Sequence, residues 1–135
     1  MPAEPMSYDG LNRNFLAAFP EFTDSYNREF DYWTDWNDPP GIYLIFGFIV
    51  FPRVVLLLDY NENEKLLRRL FEYFEVMARS KDTKVLDLLG LEVIHKLLYD
   101  TARLREAWPY MGENLRVAAG DAAKALQLDL DLSKL

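Results

Sequence analysis

The chain has 135 residues, half of them apolar and 15% aromatic, with no Cys and a formal net charge of −7. This length suits one domain with a real core, and the composition argues against global disorder. Lacking Cys, the chain has no disulfide, thiolate nucleophile or Cys-ligated metal, while an acidic pI near 4.7 disfavours phosphate backbones, so no nucleic-acid partner is expected.

The start, Met1-Pro2-Ala3-Glu4-Pro5, lacks the basic segment and apolar run of a secretory signal, and its prolines favour a disordered lead over residues 1–8. After the Asp9-Gly10 turn, Leu11, Phe15, Leu16 and Phe19 predict a short helix that ends before Pro20, because a residue preceding proline avoids helical dihedrals.

Residues 21–38 carry six carboxylates and six aromatics against one basic side chain, Arg28. Read as one helix at about 100° per residue, Phe22, Tyr26, Phe30, Trp33 and Trp36 share about a third of the circumference. Asp24, Asp31, Asp35 and Asp38 share the opposite side. The prediction is an acidic amphipathic helix that concentrates most of the chain's negative charge, with Tyr32 off the aromatic stripe and Trp36 at its edge.

Asp38-Pro39-Pro40-Gly41 breaks that element. From Ile42 to Leu58 the chain is almost wholly apolar apart from Pro52 and Arg53, which is slightly short for a hydrocarbon core of about 30 Å. With an Arg near its middle, the stretch is expected to be a buried helix pair bent at Pro52, with no membrane partner.

Asn61-Glu62-Asn63-Glu64 supplies caps for a helix over 62–79 with Leu66, Leu67, Leu70, Phe71, Phe74 and Met77 inward. Glu64–Arg68, Arg68–Glu72 and Glu75–Arg79 are spaced for outer ion pairs. Asp82 is placed to cap the next helix, over 83–99, whose apolar residues cover most of its circumference and make it the expected centre of the fold. Gly90 inside it predicts a closely packed neighbour. A short helix over 100–108 stops at Pro109, a last one spans 113–126, and the tail at 127–135 alternates Leu128, Leu130 and Leu132 with polar residues as an extended or frayed segment.

Candidate chemistry is sparse. Glu92-x-x-His95 has the spacing of a helical metal-ligand pair, but a di-iron site needs two such motifs and the chain has a single His. Glu72 and Glu75 are spaced as a carboxylate pair could be, yet Arg68 and Arg79 stand ready to neutralise them. No Gly-rich phosphate loop is present. No catalytic residue, metal or cofactor is therefore expected.

Phe19-Pro20-Glu21-Phe22, the Pro40-Gly41 start of a helix containing Phe46-Gly47 and Phe51-Pro52, the Leu66-to-His95 helix pair, and Tyr110-Met111-Gly112-Glu113-Asn114 together resemble a family of small bacterial helical proteins of unassigned function. Members of that family look like immunity proteins of polymorphic toxin systems. The resemblance spans about residues 15–118 and carries no active site. Phe48 departs from it, standing where an acidic residue is expected.

The expectation is one all-α domain over 9–126, a helical bundle or short HEAT-like stack. The function implied is a cytoplasmic immunity protein that neutralises a cognate toxin domain with a basic surface by occlusion. Its partner-binding residues would be Asp24, Asp31, Tyr32, Trp33, Asp35, Trp36 and Asp38. The alternative is an adaptor or regulatory domain that takes a peptide or helix in a groove between its own helices.

Overall fold

The computed structural model describes residues 6–35 and 37–135. Among them the fold is all-α, seven helices packed together without a strand. Helix α1, Leu11–Ala18, follows Gly10, whose φ of 71° lies in the left-handed region that glycine enters without penalty. It ends at Phe19, and Pro20–Phe22 forms a single 3-10 turn into α2, Thr23–Glu29.

The long acidic helix expected over 21–38 is therefore corrected to a short α2 followed by a turn. Phe30 closes α2 by donating its N–H to Tyr26 O. Beyond it, side chains take over from the helical ladder. Trp33 Nε1–H donates to Asp35 O at 2.8 Å and Asp38 O at 2.9 Å, and Asp35 Oδ1 accepts from Asn37 N and Asp38 N. Local bonds of this kind compete directly with helix continuation.

Helix α3, Ile42–Tyr60, is one continuous element, where the sequence suggested a pair of helices. A π-helical turn at Phe46–Val50 ends two residues before Pro52. The extra residue in such a turn changes the local hydrogen-bond pattern, which accommodates a residue that lacks an N–H and crowds the preceding turn. The helix is long and apolar enough to cross a membrane, but it packs as a core helix, burying Ile42, Ile45, Phe46, Val50, Val54 and Leu57.

Helix α4, Glu64–Ala78, is capped by Asn63, whose Oδ1 accepts from Leu66 N at 3.1 Å, and buries the stripe read from the sequence. Helix α5 runs on through Thr83–Leu89, a π turn at Gly90–Ile94, and His95–Leu98. Helix α6 is Thr101–Ala107, capped by Asp100, and α7 is Glu113–Ala125. α4 packs against α3, α5 and α7, and α5 against α4, α6 and α7.

The centre is thus shared between α4 and α5, a correction to the expectation that α5 alone occupies it. Leu86 and Leu91 on α5 are exposed. The close approach expected at Gly90 is also absent: a Cβ there would meet only His95 Nε2, at 3.8 Å. Gly90 instead opens the π turn, and the tight contact made by a helical glycine is between α3 and α5 at Gly47, where a Cβ would come within 3.3 Å of Glu92 Oε2.

Phe15 sits at the hub of an aromatic cluster, with Phe19, Phe46 and Tyr73 rings at 4.8, 5.3 and 5.3 Å between centroids. Such pairs add about 0.5–1.5 kcal/mol each beyond simple burial. Residues 6–8, assigned by the sequence to the lead, are tied to the turn before α5. Ser80 Oγ–H donates to Met6 O, and Tyr8 N–H donates to Asp82 Oδ2. At the other end, Leu128, Leu130 and Leu132 pack partly buried against the core, so the alternation in the tail serves this chain's own surface.

Candidate functional site

The predicted partner-binding residues separate into an acidic turn and its anchors. Phe22 and Phe30 are buried and Tyr26 partly so, which holds α2 against the body of the protein. The Phe30 and Trp33 rings meet edge to face at 6.4 Å. Trp33 is half-buried and clamps the loop through its two backbone acceptors. It positions the turn and offers a partner little free surface. Tyr32 is the opposite case, 67% exposed.

Asp24, Asp31, Asp35 and Asp38 are all exposed, and none joins an ion pair between described residues. Their charge is outward while their backbone is organised. Asp35 gives one carboxylate oxygen to the turn, and the other carboxylates are not drawn into the described hydrogen bonds. Trp36 lies outside the described residues.

Glu21, at the start of the same acidic stretch, behaves differently. Its carboxylate pairs with Arg69 Nη1 at 2.6 Å, and that guanidinium also donates to Ala18 O and lies over the Phe19 ring. The hydrogen bond from Arg69 holds the Glu21 carboxyl below its usual range. This pair ties α1 and α2 to α4 and is structural.

Of the carboxylates considered for chemistry, Glu72 joins no ion pair between described residues, because Arg68 turns to Glu64 at 2.7 Å, while Glu92 and Glu75 are held by other groups. Glu92 Oε2 accepts from Lys96 Nζ at 2.7 Å, which engages this carboxylate along its own helix. Among the described residues no group of three or more His, Asp or Glu is arranged to hold a metal ion.

Glu75 corrects the expectation of a surface pair with Arg79. It caps the start of α7 from across the fold, accepting from Asn114 N and Asn114 Nδ2 at 2.8 Å each and from Leu115 N at 2.9 Å. Burial pushes its pKa up, but donation from Leu115 N–H and both Asn114 groups, with the charge of Arg79, outweighs that and leaves it lowered. Gly112 leaves room for it: a Cβ there would lie 2.5 Å from Glu75 Cδ and Oε2, so the carboxylate would have to shift from its donors. The Met111-Gly112-Glu113-Asn114 segment is therefore a helix junction.

The adaptor alternative requires a groove between helices, which the sequence could not locate. Between α2 and α3 runs an open groove of about 460 Å³, bordered by Phe22, Ser25, Arg28 and Glu29 on one side and by Phe48, Pro52, Arg53 and Leu56 on the other. Phe48 is 57% exposed and Leu56 46%. Between Ile42 and Leu58, apolar on nearly every side, Arg53 is the one charged residue that marks an outward face.

No curated protein and no solved structure matches this chain. The domain of unknown function DUF7674 matches residues 12–121. The chain belongs to that family, with most of the seven-helix body inside the matched span.

Proposed function

We propose that this protein acts by binding another protein, as a cytoplasmic immunity protein that captures a cognate bacterial toxin domain and occludes it. The observation that carries the reading is the acidic turn after α2: exposed Asp31, Asp35 and Asp38 beside an exposed Tyr32, braced by Trp33 and not neutralised by any described Lys or Arg. Holding several like charges together on a shaped surface is unfavourable for an isolated monomer. A basic partner converts that repulsion into attraction.

The mechanism is steric and electrostatic. Opposite charge on a basic effector accelerates encounter, and a desolvated aromatic such as Tyr32 slows departure. No proton transfer or covalent step is required. Asp24, exposed on α2, adds a further carboxylate ahead of this segment.

The test begins with co-expression of the chain and the toxin-like product of a neighbouring gene. Rescue of growth and co-purification are expected. Substituting Asp31→Asn, Asp35→Asn and Asp38→Asn together should then weaken rescue, while an unchanged complex with unchanged kinetics would remove this surface from the interface.

A further inference from the structure

We propose that the groove between α2 and α3 seats a helical segment of another protein that presents apolar side chains with carboxylates beside them. Phe48, Pro52 and Leu56 are spaced four residues apart on α3 and are all exposed, so they form one stripe about 12 Å long at 1.5 Å per residue. That is two turns of an opposing helix. Ile49 forms part of the floor. An apolar stripe of this kind, rimmed by charged side chains, is the form of a helix-in-groove docking site.

Charge identifies the occupant. Arg28 and Arg53 border the groove and join no ion pair between described residues. Of the two bordering carboxylates, Glu21 is held by Arg69, which leaves Glu29 against two guanidiniums. With Glu21 paired, two guanidiniums against Glu29 leave the groove one net positive charge on a chain of net charge −7. Guanidiniums in such a setting favour carboxylates, which they bind in a two-pronged geometry. A basic segment fits the acidic turn and not this groove, so the inference stands apart from the immunity reading and the two fail separately.

The probe is a library of displayed peptides of about 12 residues, enough for three helical turns, panned on the wild-type protein and counter-selected on Phe48→Glu. Enriched peptides should carry at least two large apolar residues four apart and an Asp or Glu. Their dissociation constants should rise about tenfold or more, or 1.4 kcal/mol, in Phe48→Glu and separately in Arg53→Glu, and by less in the milder Leu56→Ala. All three positions are on the surface, so unchanged thermal melts confirm that the fold is intact. A basic consensus, peptides indifferent to these substitutions, or failure to enrich any peptide would overturn the proposal. Binding to phosphatidylcholine or phosphatidylglycerol vesicles that is lost in Phe48→Glu would also overturn it, assigning the stripe to a lipid surface.

Discussion

Glu75 and the aspartates of the turn after α2 use the same functional group in opposite ways. Glu75 reaches across the fold, receives three hydrogen bonds at the start of α7 and has glycine beside it, where a side chain would displace its carboxylate. Asp31, Asp35 and Asp38 stay in the loop that bears them, and their charge faces water. The contrast teaches that a carboxylate's role here is set by which donors surround it, and that its spacing from the nearest Arg is a poor guide. Glu75 belongs to the architecture, and the aspartates are available to a partner.

The largest effects should come from the Glu75 junction. Glu75→Ala leaves the first N–H groups of α7 without their acceptor and should cost about 1–3 kcal/mol, read from denaturant melts. Gly112→Ala forces the carboxylate off the same donors and should cost a similar amount. Gly112 has an ordinary φ of −76°, so alanine there meets no backbone penalty. In the Glu75→Ala background the second substitution should therefore change stability by less than about 0.5 kcal/mol. Additive costs would show that Gly112 matters for another reason.

Acid sharpens the same point. Because the folded protein holds the Glu75 carboxyl below its ordinary value, its contribution is fully present above the unfolded-state pKa, about 4.3–4.5. It is lost as pH falls through the lower folded value. Wild-type stability should therefore decline on acidification more steeply than that of Glu75→Gln, a difference measurable by melts between about pH 6 and pH 3.

Smaller effects are expected in the acidic turn. Trp33→Phe removes the donor that bridges Asp35 O and Asp38 O, at a cost of about 1 kcal/mol or less, with faster amide exchange confined to residues 31–38. The Asp31→Asn, Asp35→Asn, Asp38→Asn variant should leave stability within about 0.5 kcal/mol of wild type, as expected for surface positions. A large loss of stability in that variant would break the distinction between the two sets of carboxylates.

Much of the helical framework was legible. Over 64–78 the 3.6-residue period was plain, and Asp82 caps α5 as its position in the sequence suggested; the choice of Asn63 within the Asn61–Glu64 run and the capping role of Asp100 came from the structure. The acidic segment misled because its helical period is real as far as Phe30, whereas the bonds of Trp33 and Asp35 that end the helix depend on a fold-back that periodicity does not encode. The groove was hidden for a different reason. Uniform hydrophobicity along α3 gives no contrast between the buried side of Ile45 and Val54 and the exposed side of Phe48 and Leu56. Glu75 was assigned to Arg79 because that partner is four residues away, while Asn114 lies 39 residues downstream.

The most direct test is the association rate between this protein and the partner that co-purifies with it, measured for wild type and for the Asp31→Asn, Asp35→Asn, Asp38→Asn variant across a salt series. The account predicts an association about tenfold slower for the variant at low salt, with the gap closing as ionic strength rises. Equal rates for the two proteins at every salt concentration would contradict it.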